Sequence, residues 1–524
     1  MKFLFSIPNS AFLKHCALLF SLFIIQVNAN AVNNYPSHSG SSPVSYDDIA
    51  EPNGEFVISD RQGGILDNYM FRDSRTYQIT IKLPINRYVG DLATAVSKGV
   101  VSSTAKIYIP AYDVDAYTYP TFDCDGDGTV DNLQPEIDEV YFNGELIGTL
   151  DGDNNLWKFN DSFVVPIEKV KFPSAPGEVA YNEINIVIDA GNKDVVLSKG
   201  GTGCQVWATS VDWIGIKYDA SQPIYLMTGL FGSPKALTNS GYTDNIKSTL
   251  GLYSKVIEHG LASSSFSCDP LVLDAVSGHA DEFIKQITED GELIGTADIH
   301  LVGHSMGGLD GRMVLKKLSE QDYPVKVSEM DGAPVYENIK VQSLLTHGAP
   351  HKGSLAADYL PSIASLSSFV QDLCELKVET WKIANPALNQ LNGAKFGAIG
   401  SDADWDNSGD LNASELANNQ IPWLSLGNKL YKMLYNYDEL TIDYTMIPTP
   451  NGIVYVPDVQ YMGNGPNPND TMVTIESAHG ALGIISTISL TGANGKNHGT
   501  VIDKQSQDEA ISQGKNALGW GALK

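Results

Sequence analysis

At 524 residues the chain exceeds one ordinary core, and two or three domains are expected. Its hydrophobic content of 43% fits globular folding and excludes wholesale disorder. A formal net charge of −28 argues against nucleic acid and anionic membranes as partners, and suits divalent cations or a neutral lipid surface.

Lys2 and Lys14 flank a first short apolar stretch, Ala17 to Ile25 forms a second, and Val27-Asn28-Ala29 supplies small residues for cleavage. This order reads as a secretory signal peptide over residues 1–29, which predicts a secreted, extracellular protein. The apolar run is short for a spanning helix. Loss of its two lysines takes the net charge from −28 to −30. Cys16 leaves with the signal, so Cys124, Cys204, Cys268 and Cys374 remain for disulfide bonds in an oxidising compartment. Their pairing stays open; Cys124–Cys204 and Cys268–Cys374 would follow if each domain closes its own bridge.

Residues 30–52 are rich in Asn, Ser, Pro and Gly and predict a flexible linker. From 53 to 219 short alternating stretches recur, at Thr76–Leu83, Thr104–Ile109, Glu183–Ile188 and Val211–Tyr218. Gly, Asp and Pro turns separate them, which predicts an all-β sandwich-like domain. Within it, Asp123, Asp125, Asp127, Thr129 and Asp131 repeat the spacing of a calcium loop. The twelfth position is Gln134, which offers no bidentate carboxylate, and nearby Glu136 is the substitute.

The character changes near Ala220. Ile224-Tyr225-Leu226-Met227, Asp298–Gly303 and Val341–Thr346 are largely apolar runs separated by helical stretches. Such strands predict an α/β domain over 220–524 with a mostly parallel sheet covered on both faces.

Gly303-His304-Ser305-Met306-Gly307-Gly308 joins a buried strand to a helix beginning near Leu309. A serine on that bend sits in a strained backbone conformation, with glycines leaving it room. This makes Ser305 the candidate nucleophile. A serine hydroxyl needs a base to take its proton, and in this arrangement the acid and then the histidine follow in sequence. His498, in Gly495-Lys496-Asn497-His498-Gly499, is the expected base, with His479 the alternative. His347 and His351 follow a strand directly and read as structural. Asp470 is the expected acid, with Asp443 and Asp458 as alternatives. Two backbone donors should face the developing oxyanion: the amide of Met306 and that of Leu230, in the loop after the first core strand.

Asp404-Trp405-Asp406-Asn407-Ser408-Gly409-Asp410-Leu411-Asn412-Ala413-Ser414-Glu415 is a full match to the helix-loop-helix calcium pattern. Asp404, Asp406, Ser408, Asp410, Asn412 and Glu415 are the expected ligands. Neither acidic loop adjoins the expected triad in sequence, so both read as stabilising.

Thr228-Gly229-Leu230-Phe231-Gly232, the Ser305 block and Gly348-Ala349-Pro350-His351-Lys352-Gly353-Ser354, followed by Ala356-Ala357-Asp358, together resemble the secreted bacterial triacylglycerol lipases of the Pseudomonas and Burkholderia type. The resemblance covers about residues 223–503. It implies an α/β-hydrolase fold, lipase or carboxylesterase activity on lipid or ester substrates, transient contact with a lipid interface and a helical lid inserted at about 355–430. A dedicated folding chaperone is a partner to test for. Phospholipase, acyltransferase and polyester depolymerase are alternatives on the same triad. A surface adhesion or carbohydrate-binding role is the alternative from another class, and glycan or polymer binding is an accessory role for the β-rich domain, motivated by Trp157 and Trp207. Two positions depart from the family: Thr228 replaces its usual His before the oxyanion glycine, and Thr500 replaces its calcium-binding Asp two residues after the base.

Overall fold

The computed structural model describes residues 55–59, 68–71, 78–117, 135–190, 208–229, 234–259, 273–330, 333–359, 376–389, 391–412, 415, 424–437, 439–449, 452–462, 465–481 and 483–523. The predicted signal, the linker, the Asp123–Asp131 loop, the four remaining cysteines, Trp207 and Leu230 lie outside them. Among the described residues no helix is long and apolar enough to cross a membrane.

The N-terminal part folds into two antiparallel sheets. One contains β1 (Glu55–Ser59), β2 (Asn68–Phe71), β4 (Thr104–Tyr112), β7 (Trp157–Pro166), β9 (Ala208–Val211) and β10 (Ile214–Tyr218), in the order β1-β10-β4-β9-β2 with β7 against β4. The other contains β3 (Gln78–Ile85), β5 (Glu139–Phe142), β6 (Glu145–Thr149) and β8 (Ala180–Val187), in the order β3-β8-β5-β6. Alternation explains the faces. In β8, Asn182, Ile184 and Ile186 are buried while their neighbours are not, as period-two side-chain direction requires.

The C-terminal part is built on β11 (Ile224–Met227), β12 (Ser254–Ile257), β13 (Asp298–His304), β16 (Lys340–His347), β17 (Lys395–Ser401) and β20 (Ile484–Leu490). All pair in parallel, in the order β12-β11-β13-β16-β17-β20. All four residues of β11 are buried, because helices cover both sides of a parallel sheet. Helices Asp274–Ile294 and Met306–Glu320 pack on one face, with Phe283, Ile287 and Leu309 among the core residues. Helices Tyr242–Leu250 and Lys504–Gln513 pack on the other, through Tyr242, Ile246, Ala510 and Ile511. A serine at the carboxyl end of a central parallel strand, followed at once by a helix, is the α/β-hydrolase arrangement, and this is the fold.

Two hairpins were not expected from the sequence: β14 (Pro324–Met330) with β15 (Ala333–Asn338), and β18 (Glu439–Thr449) with β19 (Gly452–Met462). The inserted lid expected over 355–430 needs correction, because β17 lies within it. Phe396 to Ser401 is wholly buried in the sheet, although Phe-Gly-Ala-Ile-Gly-Ser is too short and small to look like a strand. An insertion after β16 therefore ends before Lys395. Leu355–Tyr359 and Val378–Ala384 are helical there, and 360–375 lies outside the described residues.

One apolar core runs from the sandwich into the parallel sheet, joining Ile107, Ile184 and Ile216 to Leu226, Val302, Leu345 and Trp520. Arg87 is buried at the junction, where its Nη2 donates to the Ser221 carbonyl at 2.7 Å, and the Tyr88 amide donates to Ile294 at 3.0 Å. Trp520 shows how far the chain end belongs to this core. Its ring is 1% exposed and its Nε1–H donates to Ser343 Oγ at 3.0 Å, and that hydroxyl lies 2.8 Å from His300 Nδ1. Trp520→Ala should cost about 3–5 kcal/mol through the cavity it leaves, read as a lowered urea midpoint of the whole chain.

Candidate active site

Ser305 stands between β13 and the helix Met306–Glu320 with φ 56° and ψ −129°, a conformation that costs an L-residue about 1–3 kcal/mol. The surrounding glycines permit the bend. A Cβ on Gly307 would lie 2.6 Å from the Met227 carbonyl oxygen, which locks the helix start against β11. A Cβ on Gly229 would lie 2.4 Å from Ser305 Cβ and 3.0 Å from its Oγ, so the end of β11 touches the serine directly. The Ser305 amide donates to the His347 carbonyl at 2.9 Å.

The carboxyl ends of β13 and β16 and the loops at 470 and 498 converge here. His498 Nε2 is 2.8 Å from Ser305 Oγ, and His498 Nδ1 is 2.8 Å from Asp470 Oδ2. With Nδ1–H donating to the carboxylate, Nε2 is left to accept the serine proton. Asp470 is fully buried, and its other oxygen accepts the amides of Met472 at 3.0 Å and Val473 at 2.7 Å. The carboxylate is therefore satisfied on both sides. The His498 amide also donates to the Asp470 carbonyl at 2.7 Å. Asp470 and His498 thus share two contacts.

Four other histidines have different work. His304 Nε2–H donates to the His498 carbonyl at 3.0 Å; burial, with His498 adding to it, lowers its pKa to about 3, so it stays neutral. His347 Nδ1–H donates to the Val501 carbonyl at 3.1 Å, so its Nε2 accepts from the Tyr242 hydroxyl at 2.9 Å, and burial lowers it to about 4. His351 is buried against Thr346 Oγ1 at 3.0 Å, and burial holds its pKa well below the usual range. His479, the alternative base, donates to the Ile488 carbonyl at 3.1 Å. The alternative acids Asp443 and Asp458 are register partners in the backbone of the β18–β19 hairpin.

Sequence reasoning missed two residues of the site. His304 fixes the main chain of His498, and only its place beside Ser305 hinted at it. Gly348 lies under the Asp470–His498 pair. Its φ is +55°, and a Cβ there would meet Asp470 Oδ2 at 2.8 Å and His498 Nδ1 at 3.4 Å. Gly348→Ala should lower kcat about 100-fold by displacing that pair, while the folded chain persists; steady-state kinetics with a circular dichroism control reads both.

Of the expected oxyanion donors, the Met306 amide opens its helix, where a first-turn N–H has no intrahelical acceptor. Leu230 lies outside the described residues. The turn of His498 is tied by Asn497, whose Oδ1 accepts the amides of Gly499 and Thr500 at 3.1 Å each. No carboxylate stands at Thr500, so the calcium position of the lipase family does not fit there.

Of the expected cation ligands in the 404–415 loop, the carboxylates of Asp404, Asp406 and Glu415 gather within 4.8 Å of one another. The Asp410 carboxylate instead pairs with Lys432 at 2.8 Å, and its carbonyl accepts from Ser408 Oγ at 2.8 Å. Asn412 Oδ1 accepts the Glu415 amide at 3.1 Å. Asp123, Asp125, Asp127, Thr129 and Asp131 lie outside the described residues. Glu136, the proposed substitute there, is buried and accepts from Thr209 Oγ1 at 2.8 Å.

No protein-family model matches the chain, and no curated protein does. Among solved structures, the product of the gene lin2722 from Listeria innocua is 11% identical, with 56% of this chain and 92% of that one covered at a TM-score of 0.30. An extracellular alpha/beta-hydrolase from a Paenibacillus species is 11% identical, over 56% of this chain and 99% of that one, at a TM-score of 0.26. Phospholipase PlaB from Legionella pneumophila is 13% identical, and the match spans 57% of each chain at a TM-score of 0.27. The fold itself rests on the strand order and the position of Ser305 given above.

Proposed function

We propose that the chain is an exported serine ester hydrolase acting on lipid esters. One observation carries this reading: a serine on a strained strand-to-helix bend lies 2.8 Å from an imidazole that itself lies 2.8 Å from a buried carboxylate. Ser305 Oγ attacks the ester carbonyl while His498 Nε2 takes its proton. Asp470 orients the imidazole and stabilises it when charged. The tetrahedral oxyanion is held by the amides of Met306 and Leu230. Collapse expels the alcohol, which leaves with the proton from His498, and an acyl ester remains on Ser305. Water then attacks that ester, His498 again takes the proton, and the acid is released as Ser305 regains its hydrogen.

The same reading makes the mature chain extracellular, gives it disulfide bonds and transient contact with a lipid interface, and leaves glycan or polymer binding to the β-rich part. Substrate class is tested by comparing emulsified triacylglycerol with a soluble short-chain ester. A lipase turns over the emulsion faster per active site. Turnover confined to phospholipid, to an alcohol acceptor or to solid polyester would replace the lipid-ester reading with one of those activities. Binding of glycans or polymer by a chain without hydrolytic activity would replace the enzyme reading altogether.

A further inference from the structure

The loop Asp404–Glu415 is distant from Asp470 in sequence and adjacent to it in space. Asp404 is completely buried, and its Oδ1 accepts no hydrogen bond. Its Oδ2 accepts the Gly409 amide at 2.6 Å, which folds the loop back on itself. Glu415 is 1% exposed, and its two oxygens accept the amides of Trp405 at 2.7 Å and Asn412 at 2.6 Å, which turn both towards the loop interior. Asp406 closes the group. Three carboxylates so close, two of them buried and Asp406 exposed at the rim, repel one another, and the neighbouring Lys432 is spent on Asp410 outside the group. A hard divalent cation would supply the missing charge and a partner for the bare Asp404 oxygen.

The loop is stitched to the acid by the residues before and beneath it. The Ala403 amide donates to the Asn469 carbonyl at 2.8 Å. Asn469 Nδ2 donates to the Tyr431 carbonyl at 3.3 Å, and the Tyr431 hydroxyl donates to Asp402 Oδ1 at 3.1 Å. Asn469 Oδ1 then accepts the Thr471 amide at 3.0 Å. Asp470 therefore sits between Asn469, which the wall of the loop holds, and Thr471, which Asn469 holds in turn. Leu411, Ala403 and Tyr431 form the small apolar core that makes this wall stiff.

We infer that the loop Asp404–Glu415 binds one calcium ion through Asp404, Asp406 and Glu415, and that the bound ion holds Asp470 in register with His498 through Asn469. The ion makes no contact with substrate, so these ligands are positioning residues, and the inference rests on the reading of Asp470 as the acid of the triad. Calcium is preferred over magnesium because a loop that offers a bidentate carboxylate and oxygens in no regular octahedron suits its larger, irregular shell.

The test uses the full mature chain stripped with chelator. Calcium chloride, and separately magnesium chloride, is titrated by calorimetry into the wild type and Asp406→Asn, an exposed position that should fold normally. Turnover of a soluble short-chain ester is followed in parallel. The expected result is one calcium ion fewer in the variant, with kcat about 10- to 100-fold lower in the stripped wild type and in the variant while KM changes little. In an Asp470→Asn background, stripping calcium should leave the residual rate of labelling by a fluorophosphonate probe unchanged, since the ion acts through the missing carboxylate. An unchanged ion count in Asp406→Asn overturns the site. Full turnover by the stripped enzyme, or an equal calcium effect in the Asp470→Asn background, overturns the coupling. Failure of the triad reading would appear separately, as turnover that survives Ser305→Ala with or without calcium.

Discussion

Ser305→Ala is expected to lower kcat on the order of 10⁶-fold and to abolish labelling by a fluorophosphonate probe. The substitution removes one oxygen whose partner in the site is His498 Nε2. Alanine tolerates φ 56° no better and no worse than serine, so the backbone strain stays where it was. Stability should therefore change by less than about 0.5 kcal/mol, which separates loss of chemistry from loss of fold. Ser305→Gly sharpens the comparison. Glycine relieves the strained backbone, so that variant should unfold at higher urea than wild type and still be inactive, the signature of strain kept for function. Labelling that persists in Ser305→Ala would place the nucleophile elsewhere.

The parallel sheet was legible because its strands are buried on both faces. Ile224–Met227 is a four-residue apolar run bounded by Pro223 and Gly229, and the strand has those limits. The bend at Ser305 was legible because close approach demands glycine at fixed offsets, and chain order then narrowed the acid and base to a few residues. Other features leave little trace. The β14–β15 hairpin carries Pro, Glu and Lys where a strand pattern would be sought, whereas β18–β19 does show alternating apolar residues about Asn451-Gly452, a hairpin signal that went unread. The core shared by sandwich and sheet joins residues far apart in sequence, so local periodicity cannot reveal it. The nearness of the 404–415 loop to Asp470 is likewise a tertiary fact. It depends on β17 delivering Asp402 beside the turn at Asn469, and β17 itself was hidden by its glycines.

Asp470→Asn is expected to lower kcat about 10⁴-fold with little loss of stability, for a reason that follows from the hydrogen bonds of the carboxylate. Its Oδ1 accepts two backbone amides, from Met472 and Val473. An asparagine carbonyl must take that place, because an NH₂ group there would face two donors. The NH₂ is then forced to the side that faces His498 Nδ1. Donating to Nδ1 requires that nitrogen to be unprotonated, so the ring proton moves to Nε2 and points at Ser305 Oγ. The base is still present and still 2.8 Å from the serine in this geometry, but it offers a proton where it must accept one. Asp470→Ala lacks this enforced tautomer and leaves two buried amides without an acceptor. It should lose more stability than the asparagine variant, by about 1–3 kcal/mol, and its rate should not fall further in proportion. Thermal unfolding and kcat measured on both variants distinguish an orienting carboxylate from a purely structural one, for which the less stable variant would also be the slower.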